Sequence, residues 1–504
     1  MINFNSIFKQ RKIILLVLAS LIVVEFFSFL SYYFSILNLI IFSIIVLLFL
    51  VLAVYKIEWS FYILLAELFS NSMGYAFYLE SGGFKLSLRI ALWLVIIAVW
   101  LAKFLLEIFK NKKEVWFKYK KIPYFKNWIY LFFFIALGLV IGIIKNGFSD
   151  AFFDFNAWLY FALIFPLWHI VSGNDKDIFI KNVVSIFLGA ILFLIFKSFL
   201  FLFLFSHNLE PLIADLYYWT RRYYLGEITA MGGGFYRVFL QSQIYILIAF
   251  LISISAWIFT KNKKAKIYLL AFLSLLNLIL ILSFSRSFWL AGFLTLILMF
   301  VVLWSKFGFR KMLNSFLITL LSFVIGFSLV LGIVKFPWPN SEVKFNLDSL
   351  SERANVRAEE SAISSRWTLL EILRDDISDN FLLGRGFGAR VEYKSSDPRV
   401  LEQTADGVYS TYAFEWGWLD IWLKLGILGI LSYGLLVYLF IKDFWQKFKS
   451  KNNFIYLGLG LSILSLVVVN FFTPYLNHQL GIGFLILAVI FWLKENSKPF
   501  ESEH

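Results

Sequence analysis

Residues 13–33 read IILLVLASLIVVEFFSFLSYY, an apolar run in which Glu25 is the single charged side chain. A helix needs about 20 predominantly apolar residues to cross the hydrocarbon core of a bilayer. The run is too long for the apolar region of a secretory signal and lacks a small-residue cleavage site. We therefore expect it to be the first of several membrane spans.

The composition extends this expectation to the whole chain. Of its 504 residues 61% are hydrophobic, and 61 are phenylalanine. A soluble fold of this length cannot bury so much apolar surface, so lipid must solvate most of it. The absence of cysteine excludes disulfides and thiolate chemistry. The four histidines are scattered along the chain, and the sequence therefore predicts neither a metal site nor a cofactor.

Apolar runs of span length recur along the chain and predict an all-α, polytopic membrane protein with about fourteen transmembrane helices. The runs lie at 13–33, 35–55, 58–79, 86–108, 127–146, 151–172, 177–205, 237–259, 266–283, 287–305, 312–336, 416–441, 453–472 and 478–494. The run at 58–79 is short and weakly apolar.

The net charge of +14 comes mainly from lysine-rich connections between these runs. Positive charge at span ends marks the cytoplasmic side, so this charge indicates topology and not nucleic-acid binding. If the N-terminus is cytoplasmic and the runs alternate, every such connection lies in the cytoplasm, as does the C-terminus. The connections are 8–12, 109–121, 260–266, 305–311 and 442–451.

The same alternation divides the chain into five regions and places two long segments outside. The regions are an N-terminal bundle of about seven spans (1–205), an outer loop (206–236), spans with a Ser-Arg element (237–336), a large outer loop (337–415) and C-terminal spans with a cytoplasmic tail (416–504). The large loop contains SSRWTLLEILRDDISDNFLLGRGFG (364–388). There Leu370, Leu373 and Ile377, with Trp367 one turn earlier, predict a short amphipathic helix that ends near Asn380.

Several arginines lie on the predicted outer side of the membrane, whereas most positive charge lies on the cytoplasmic side. Arg286 lies in the tight connection FSRSF (284–288), Arg237 begins a span, and Arg221 and Arg222 lie in the first outer loop. Such an arginine can extend to lipid headgroups. It can also point into a polar cavity, where its planar guanidinium suits bidentate binding of phosphate. Both readings are open for a single arginine. Because several arginines lie on the outer side, we favour an anionic ligand.

Two carboxylates stand where the large outer loop re-enters the membrane. Glu415 lies at the junction and Asp420 lies deeper in the following span. Glu415 is either an ordinary hydrated interfacial group or a base at the rim of a cavity, with Asp420 as its partner. The glycines of GRGFG (384–388) follow no strand, so they do not indicate a nucleotide-binding fold.

The order of these elements resembles the O-antigen ligase and O-antigen polymerase superfamily over roughly 230–440. The family pattern is an arginine that opens a span, an outer Ser-Arg element, a long outer loop with an Arg-Trp and glycine motif, and a further span with a Gly-containing motif. The matching residues are Arg237, Ser285, Arg286, Arg366, Trp367, Asn380, Leu382, Gly384, Gly386, Gly388, Leu419, Gly426 and Gly429.

The resemblance implies a membrane glycosyltransferase that acts at the outer face of the cytoplasmic membrane. Its donor would be a glycan on a polyprenyl diphosphate, its acceptor a glycan, lipid or protein hydroxyl, and other polysaccharide-assembly proteins are possible partners. Arg237 and Arg286 would hold the diphosphate without a metal, and Glu415 would be the base. Substrate binding would involve Arg221, Arg222, Arg366, Arg385 and Asp420.

The chain departs from the family at two positions. Phe381 stands where members commonly have proline, and Glu415 stands where the ligases have histidine. The second departure favours a polymerase-like or other lipid-linked glycan transferase over a ligase. A transporter of a lipid-linked glycan or a small anion is the alternative, although the chain shows no two related halves. A non-catalytic scaffold for polysaccharide assembly is a third reading.

Overall fold

The computed structural model describes residues 10–82, 84–173, 175–232, 235–339, 357–394, 404 and 406–493, and these are predominantly helical. The N-terminal helices are α1 (Arg11–Tyr33), α2 (Ser35–Tyr55), α3 (Ile57–Ser70), α4 (Leu88–Lys120), α5 (Phe125–Asn146), α6 (Phe148–Phe155), α7 (Ile164–Val171) and α8 (Lys176–Ser206). A 3₁₀ segment (Asn156–Leu163) continues α6 into α7.

The remaining helices are α9 (Leu212–Arg222), α10 (Ile244–Phe259), α11 (Lys263–Ser283), α12 (Arg286–Phe307), α13 (Phe309–Val334), α14 (Arg357–Asp379), α15 (Gly417–Lys451), α16 (Phe454–Val469) and α17 (Gln479–Leu493). A 3₁₀ turn (Gln241–Gln243) precedes α10. Three antiparallel hairpins pair β1 (Tyr78–Ser81) with β2 (Phe84–Ser87), β3 (Glu227–Gly232) with β4 (Phe235–Phe239), and β5 (Val391–Lys394) with β6 (Val408–Thr411).

Within the described part of the chain, eleven helical segments are long and apolar enough to cross a membrane. This confirms the predicted all-α, polytopic fold. The helices α16 and α17 are apolar but shorter, and α3 has only 14 residues. The number of crossings, about fourteen from the sequence, therefore stays a prediction.

The interior of the bundle is centred on α10 and α16. Nearly every side chain of α10 is buried, and Gly458 of α16 lies so close that an added Cβ would sit 2.9 Å from the Cα of Ile252. Small residues permit this approach where lipid supplies no hydrophobic drive for helices to associate. By contrast α1, α2, α12 and α13 expose large apolar side chains, as expected of surfaces that face lipid.

Ionisable groups inside the spans occur in pairs that the sequence alone did not identify. Lys197 contacts Glu25, and Arg89 donates to both carboxylate oxygens of Glu67 at 2.8 and 3.1 Å. An isolated charge at membrane depth is costly, so such groups face the bundle interior and pair with one another.

Contacts between connections join segments that the charge bias predicts to lie on the same side. On the predicted outer side they are Tyr33 to Asp215 (2.7 Å), Arg390 to Asp150 (2.6 Å) and His207 to the Phe336 carbonyl (2.9 Å). On the predicted inner side they are Lys56 to Asp175 (3.2 Å), Trp168 to the Lys118 carbonyl (2.8 Å) and Lys306 to the Lys449 carbonyl (2.8 Å). These contacts group the helix ends into two sets, and which set faces the cytoplasm stays a prediction.

The helix in the large outer loop is longer than the sequence indicates, because α14 begins at Arg357. Its predicted end near Asn380 is confirmed. The buried face is formed by Leu369, Leu373 and Ile377, whereas Leu370 is only half-buried. The four-residue spacing aligns the buried three along one stripe, which packs on the start of α15 and on β5. Trp367 is 59% exposed and its ring lies 6.3 Å from that of Trp416.

The topology can be tested with single cysteines in this cysteine-free chain. Lys394→Cys lies in the outer segment and Lys120→Cys lies at the basic end of α4, and both side chains are exposed. We expect a membrane-impermeant thiol reagent to label Lys394→Cys in intact cells, and Lys120→Cys only after the cells are opened. The reverse pattern would overturn the orientation derived from the lysine bias.

Candidate active site

Arginines meet on the predicted outer side, where the β3–β4 hairpin covers the α11–α12 connection. Arg237 of β4 donates from Nε to the Ser283 carbonyl at 2.9 Å. Its Nη1 lies 3.8 Å from one carboxylate oxygen of Glu227, and the Nη1 of Arg221 lies 3.9 Å from the other. We call Arg221, Arg237, Arg286 and Glu227 the arginine cluster.

Positive charge dominates this cluster. Burial lowers the pKa of Arg237, and the nearby guanidinium groups of Arg286 and Arg221 lower it further, while Glu227 opposes the shift. Arg237 also lies over the ring of Phe239, at 4.9 Å from its centroid. Arg221 and Arg237 both lie near the Glu227 carboxylate, and Arg286 adds a third guanidinium near Arg237, so an added anion would be stabilised here.

The Ser-Arg element is a tight turn that places Arg286 at the first position of α12. Phe284 adopts a left-handed conformation with φ 44° and ends α11. The hydroxyls of Ser285 and Ser287 lie 3.1 Å apart, and that of Ser287 lies 3.1 Å from the hydroxyl of Thr473. The turn is thereby tied to the connection between α16 and α17, which we call the 470–478 connection.

The 470–478 connection lies between the arginine cluster and the junction that holds Glu415. On one side the ring of Tyr475 lies 5.6 Å from that of Phe288. On the other side Asn477 donates to the Gly417 carbonyl at 3.0 Å, and the ring of Phe472 lies 6.1 Å from that of Trp416. Glu415 itself is exposed, two residues before α15 begins.

Asp420 is buried and belongs to a network of charges. The Nζ of Lys424 lies 2.5 Å from Asp420 and 2.6 Å from Asp154 of α6. Asn477 donates to the second oxygen of Asp420 at 2.5 Å, and the Gly388 amide donates to Asp154 at 2.8 Å. The network therefore joins α15, α6, the glycine-rich loop and the 470–478 connection.

The glycines of GRGFG serve close packing. Gly384, Gly386 and Gly388 all have positive φ, and an added Cβ on each would lie 2.3 to 2.6 Å from the backbone of α15, α5 or α6. Opposite them α15 is kinked at Gly426 (φ 68°, ψ −178°).

Arg385 of this loop pairs with Asp376 of α14 at 2.5 Å. Its carbonyl accepts a hydrogen bond from Asn146 at 3.2 Å.

The structure brings together Arg221, Arg237 and Arg286 of the predicted site residues, and places Glu415 beyond the 470–478 connection. Arg222 is exposed beside Arg221 at the end of α9. The backbone of Arg366 lies in α14, but its side chain lies outside the described residues.

The sequence reasoning did not single out Glu227, Thr473 or Lys424. The sequence could have indicated Lys424, because a lysine within an apolar span requires a partner. Within the described ranges no three His, Asp or Glu side chains are grouped as metal ligands would be, and metal independence stays a prediction.

The fold and the cluster define a polytopic helical membrane protein with a basic site on the face that is predicted to be external. A family model described as O-antigen ligase matches residues 269–434, which include Arg286, the glycine-rich loop and Glu415. Over these residues the match confirms the resemblance seen in the sequence. No curated protein sequence shows a significant match to the chain.

The network around Lys424 makes a prediction about stability. Lys424→Met leaves Asp154 and Asp420 buried without their cation, which typically costs about 3–5 kcal/mol. We expect a large fall in the unfolding temperature in detergent, measured by fluorescence-detected size exclusion after heating. The matched control is Lys56→Met, which removes the exposed pair with Asp175 and should change little. An unfolding temperature near wild type for Lys424→Met would show that the ion pairs do not hold these segments.

Proposed function

We propose that the chain is a membrane glycosyltransferase. It transfers or polymerises a glycan from a polyprenyl diphosphate donor onto a sugar hydroxyl at the outer face of the cytoplasmic membrane, in the synthesis of cell-surface polysaccharide. The observation that carries the proposal is the proximity of Arg221 and Arg286 to Arg237, with Glu227 near Arg221 and Arg237. The family match supports the same class of reaction.

The arginine cluster suits a diphosphate leaving group. As the glycosidic bond breaks, negative charge grows on the diphosphate, and guanidinium groups held in place beforehand stabilise that charge most. Arg237 is held by the Ser283 carbonyl and by the ring of Phe239. Arg286 is held at the start of α12 by the hydroxyl-linked turn.

Glu415 is proposed as the base. The acceptor oxygen attacks the anomeric carbon, the bond from that carbon to the diphosphate oxygen breaks, and the hydroxyl proton passes to the Glu415 carboxylate. One such displacement inverts the anomeric centre. The supporting observation is that the 470–478 connection touches both the Ser-Arg turn and the junction beside Glu415. Arg222, Arg366 and Arg385 are proposed to contact the second phosphate or the sugars.

The transporter alternative is not favoured, because the matched family is described by a ligase activity. The lipid bilayer carries the donor, and the acceptor is a glycan, lipid or protein. The N- and C-termini are proposed to be cytoplasmic, as the lysine bias predicts.

The proposal is tested by reconstitution into vesicles with a polyprenyl diphosphate oligosaccharide and an acceptor glycan. We expect release of free polyprenyl diphosphate in step with a lengthened or newly attached glycan. Movement of intact donor to the other leaflet without product would identify a transporter. If the donor is recovered intact and shows neither movement nor product, the result would support the scaffold reading.

A further inference from the structure

The connection between α3 and β1 contacts the base of the β3–β4 hairpin. The hydroxyl of Ser72 donates to the Leu225 carbonyl at 2.6 Å and accepts from the Gln241 amide at 3.1 Å. Leu225 stands two residues before β3 begins, and Gln241 stands two residues after β4 ends. We call these two hydrogen bonds the Ser72 bridge, because one buried side chain joins both ends of the hairpin to a remote segment.

The backbone of Ser72 is itself held by a buried guanidinium. Arg89 of α4 is fully buried and donates to the Ser72 carbonyl at 3.0 Å and to the Asn71 carbonyl at 2.8 Å. The same guanidinium pairs with the Glu67 carboxylate and donates to the side-chain oxygen of Gln479 at 3.3 Å. Its N–H groups form a rigid fork, so Ser72 cannot move without disturbing a buried ion pair.

The hairpin in turn contacts the Ser-Arg turn. Phe235 and Arg237 are two residues apart on β4 and therefore share one face. The ring of Phe235 lies 5.3 Å from that of Phe284, and Arg237 donates to the Ser283 carbonyl as described above. Because Arg286 begins α12 directly after this turn, the placement of the hairpin sets the placement of Arg237 relative to Arg286.

The second strand of the hairpin has a further support that does not involve Ser72. The side chain of Gln243 accepts from the Leu240 amide at 3.1 Å and donates to the Val238 carbonyl at 3.2 Å. It is fully buried and also donates to the Ser198 hydroxyl at 3.0 Å. We therefore expect the hairpin to fold without the Ser72 bridge, and the bridge to determine where the folded hairpin lies.

We propose that Ser72 is a positioning residue for the arginine cluster, because its bridge holds the β3–β4 hairpin, and with it Arg237, in place against the Ser-Arg turn. The inference rests on the proposed function and adds to it a residue that acts through Arg237 without touching the substrate. Guanidinium groups stabilise a growing charge most when they are held in place beforehand. A displacement of about 1 Å can cost roughly a hundredfold in rate.

Ser72→Ala removes the bridge and tests this role in the purified, reconstituted protein. With acceptor saturating, we expect kcat to fall about tenfold to a hundredfold, because Arg237 no longer meets the growing charge in the right place. The KM for the donor should stay within about threefold, because the guanidinium groups still attract the diphosphate before reaction. Ser72→Thr keeps the hydroxyl and should recover most of the loss.

Ser70→Ala is the matched control. Ser70 is also buried, two residues away, but its hydroxyl donates to the Ala66 carbonyl of its own helix at 2.7 Å. Transfer by this variant should match wild type.

A double variant, Ser72→Ala with Arg237→Lys, shows whether Ser72 acts through Arg237. If it does, adding Ser72→Ala to Arg237→Lys should lower kcat by less than about threefold further, because coupled positions are not additive. A further loss of about tenfold or more would show that Ser72 acts on the fold as a whole and would overturn the positioning role. A wild-type kcat in Ser72→Ala alone would overturn it as well.

Hydrogen exchange separates this proposal from the reaction itself. In Ser72→Ala the backbone amides of β3 and β4 should exchange at least about tenfold faster than in wild type, because the hairpin opens more often, while those of β5 and β6 stay unchanged. Faster exchange without any transfer by the wild-type protein would support the bridge and count against the transferase. Wild-type exchange rates in the hairpin of the variant would overturn the bridge even if transfer is established.

Discussion

Glu415→Gln should lower the rate of glycan transfer by roughly a hundredfold to ten-thousandfold, the usual contribution of a positioned base. Glutamine keeps the size of glutamate and much of its hydrogen bonding, but it cannot take the proton of the acceptor hydroxyl. Donor binding should be unchanged, because the diphosphate is proposed to contact the arginine cluster and not Glu415. The measurement is single-turnover transfer in vesicles with donor prebound.

The matched control for this change is Glu392→Gln, an exposed glutamate on β5 of the same outer segment. It should transfer at the wild-type rate. Glu415→His is expected to recover part of the activity, because imidazole accepts protons near neutral pH. If Glu415→Gln retains a rate within about threefold of wild type, Glu415 is not the base. Asp406 is then the next carboxylate to test, since Asp420 is buried against Lys424.

A competing role for Glu415 is stabilisation of the helix that follows it. Glu415 lies one residue before Trp416, the residue that caps α15 without a side-chain bond. A carboxylate near a helix start typically contributes about 0.3–1 kcal/mol. If that were its whole role, glutamine would lower the unfolding temperature slightly and leave transfer unchanged, so the two readouts separate the roles.

Arg286→Lys and Arg237→Lys should each reduce transfer by about a hundredfold or more, the usual effect of losing one transition-state contact. Lysine keeps the charge, but its single ammonium cannot make the bidentate contacts that guanidinium makes with a diphosphate. Arg237→Lys also loses the planar group that bonds the Ser283 carbonyl and covers Phe239. The measurement is the steady-state rate with a defined lipid diphosphate donor, together with the unfolding temperature in detergent.

Arg390→Lys is the matched control for these two variants. Arg390 is also an outer-side arginine, but it pairs with Asp150 at 2.6 Å and lies outside the arginine cluster. It should keep most activity. Full transfer by Arg286→Ala would show that Arg286 only extends towards lipid headgroups and takes no part in the reaction.

The glycine-rich loop shows how far motif reasoning reaches. The order of Asn380, Gly384, Gly386 and Gly388 is one part of the family resemblance, which the family match confirms. The reason for the glycines appears only in three dimensions, where each lies against backbone of another helix. A motif records which residues are present, whereas steric exclusion depends on which distant segment packs there.

The amphipathic helix of the large outer loop was predictable in type but not in extent. Leu373 and Ile377 are buried as their spacing indicates, yet Leu369 takes the place assigned to Leu370. Helical periodicity tolerates either residue, because adjacent positions differ by only about a quarter turn. The partner surface on α15 and β5 selects between them.

The sequence by itself determined that lipid surrounds most of the chain and that the fold is helical. Hydropathy is a property of consecutive residues, and no solvent except lipid accommodates so many apolar runs, so an all-α bundle follows. The lysine bias likewise predicts orientation from composition alone. Only the tertiary structure decided which charges meet, because Arg221, Arg237 and Arg286 belong to separate elements. The same is true of Lys424 with Asp154, which are 270 positions apart. Pairing over such separations depends on how helices pack, and no local pattern encodes it.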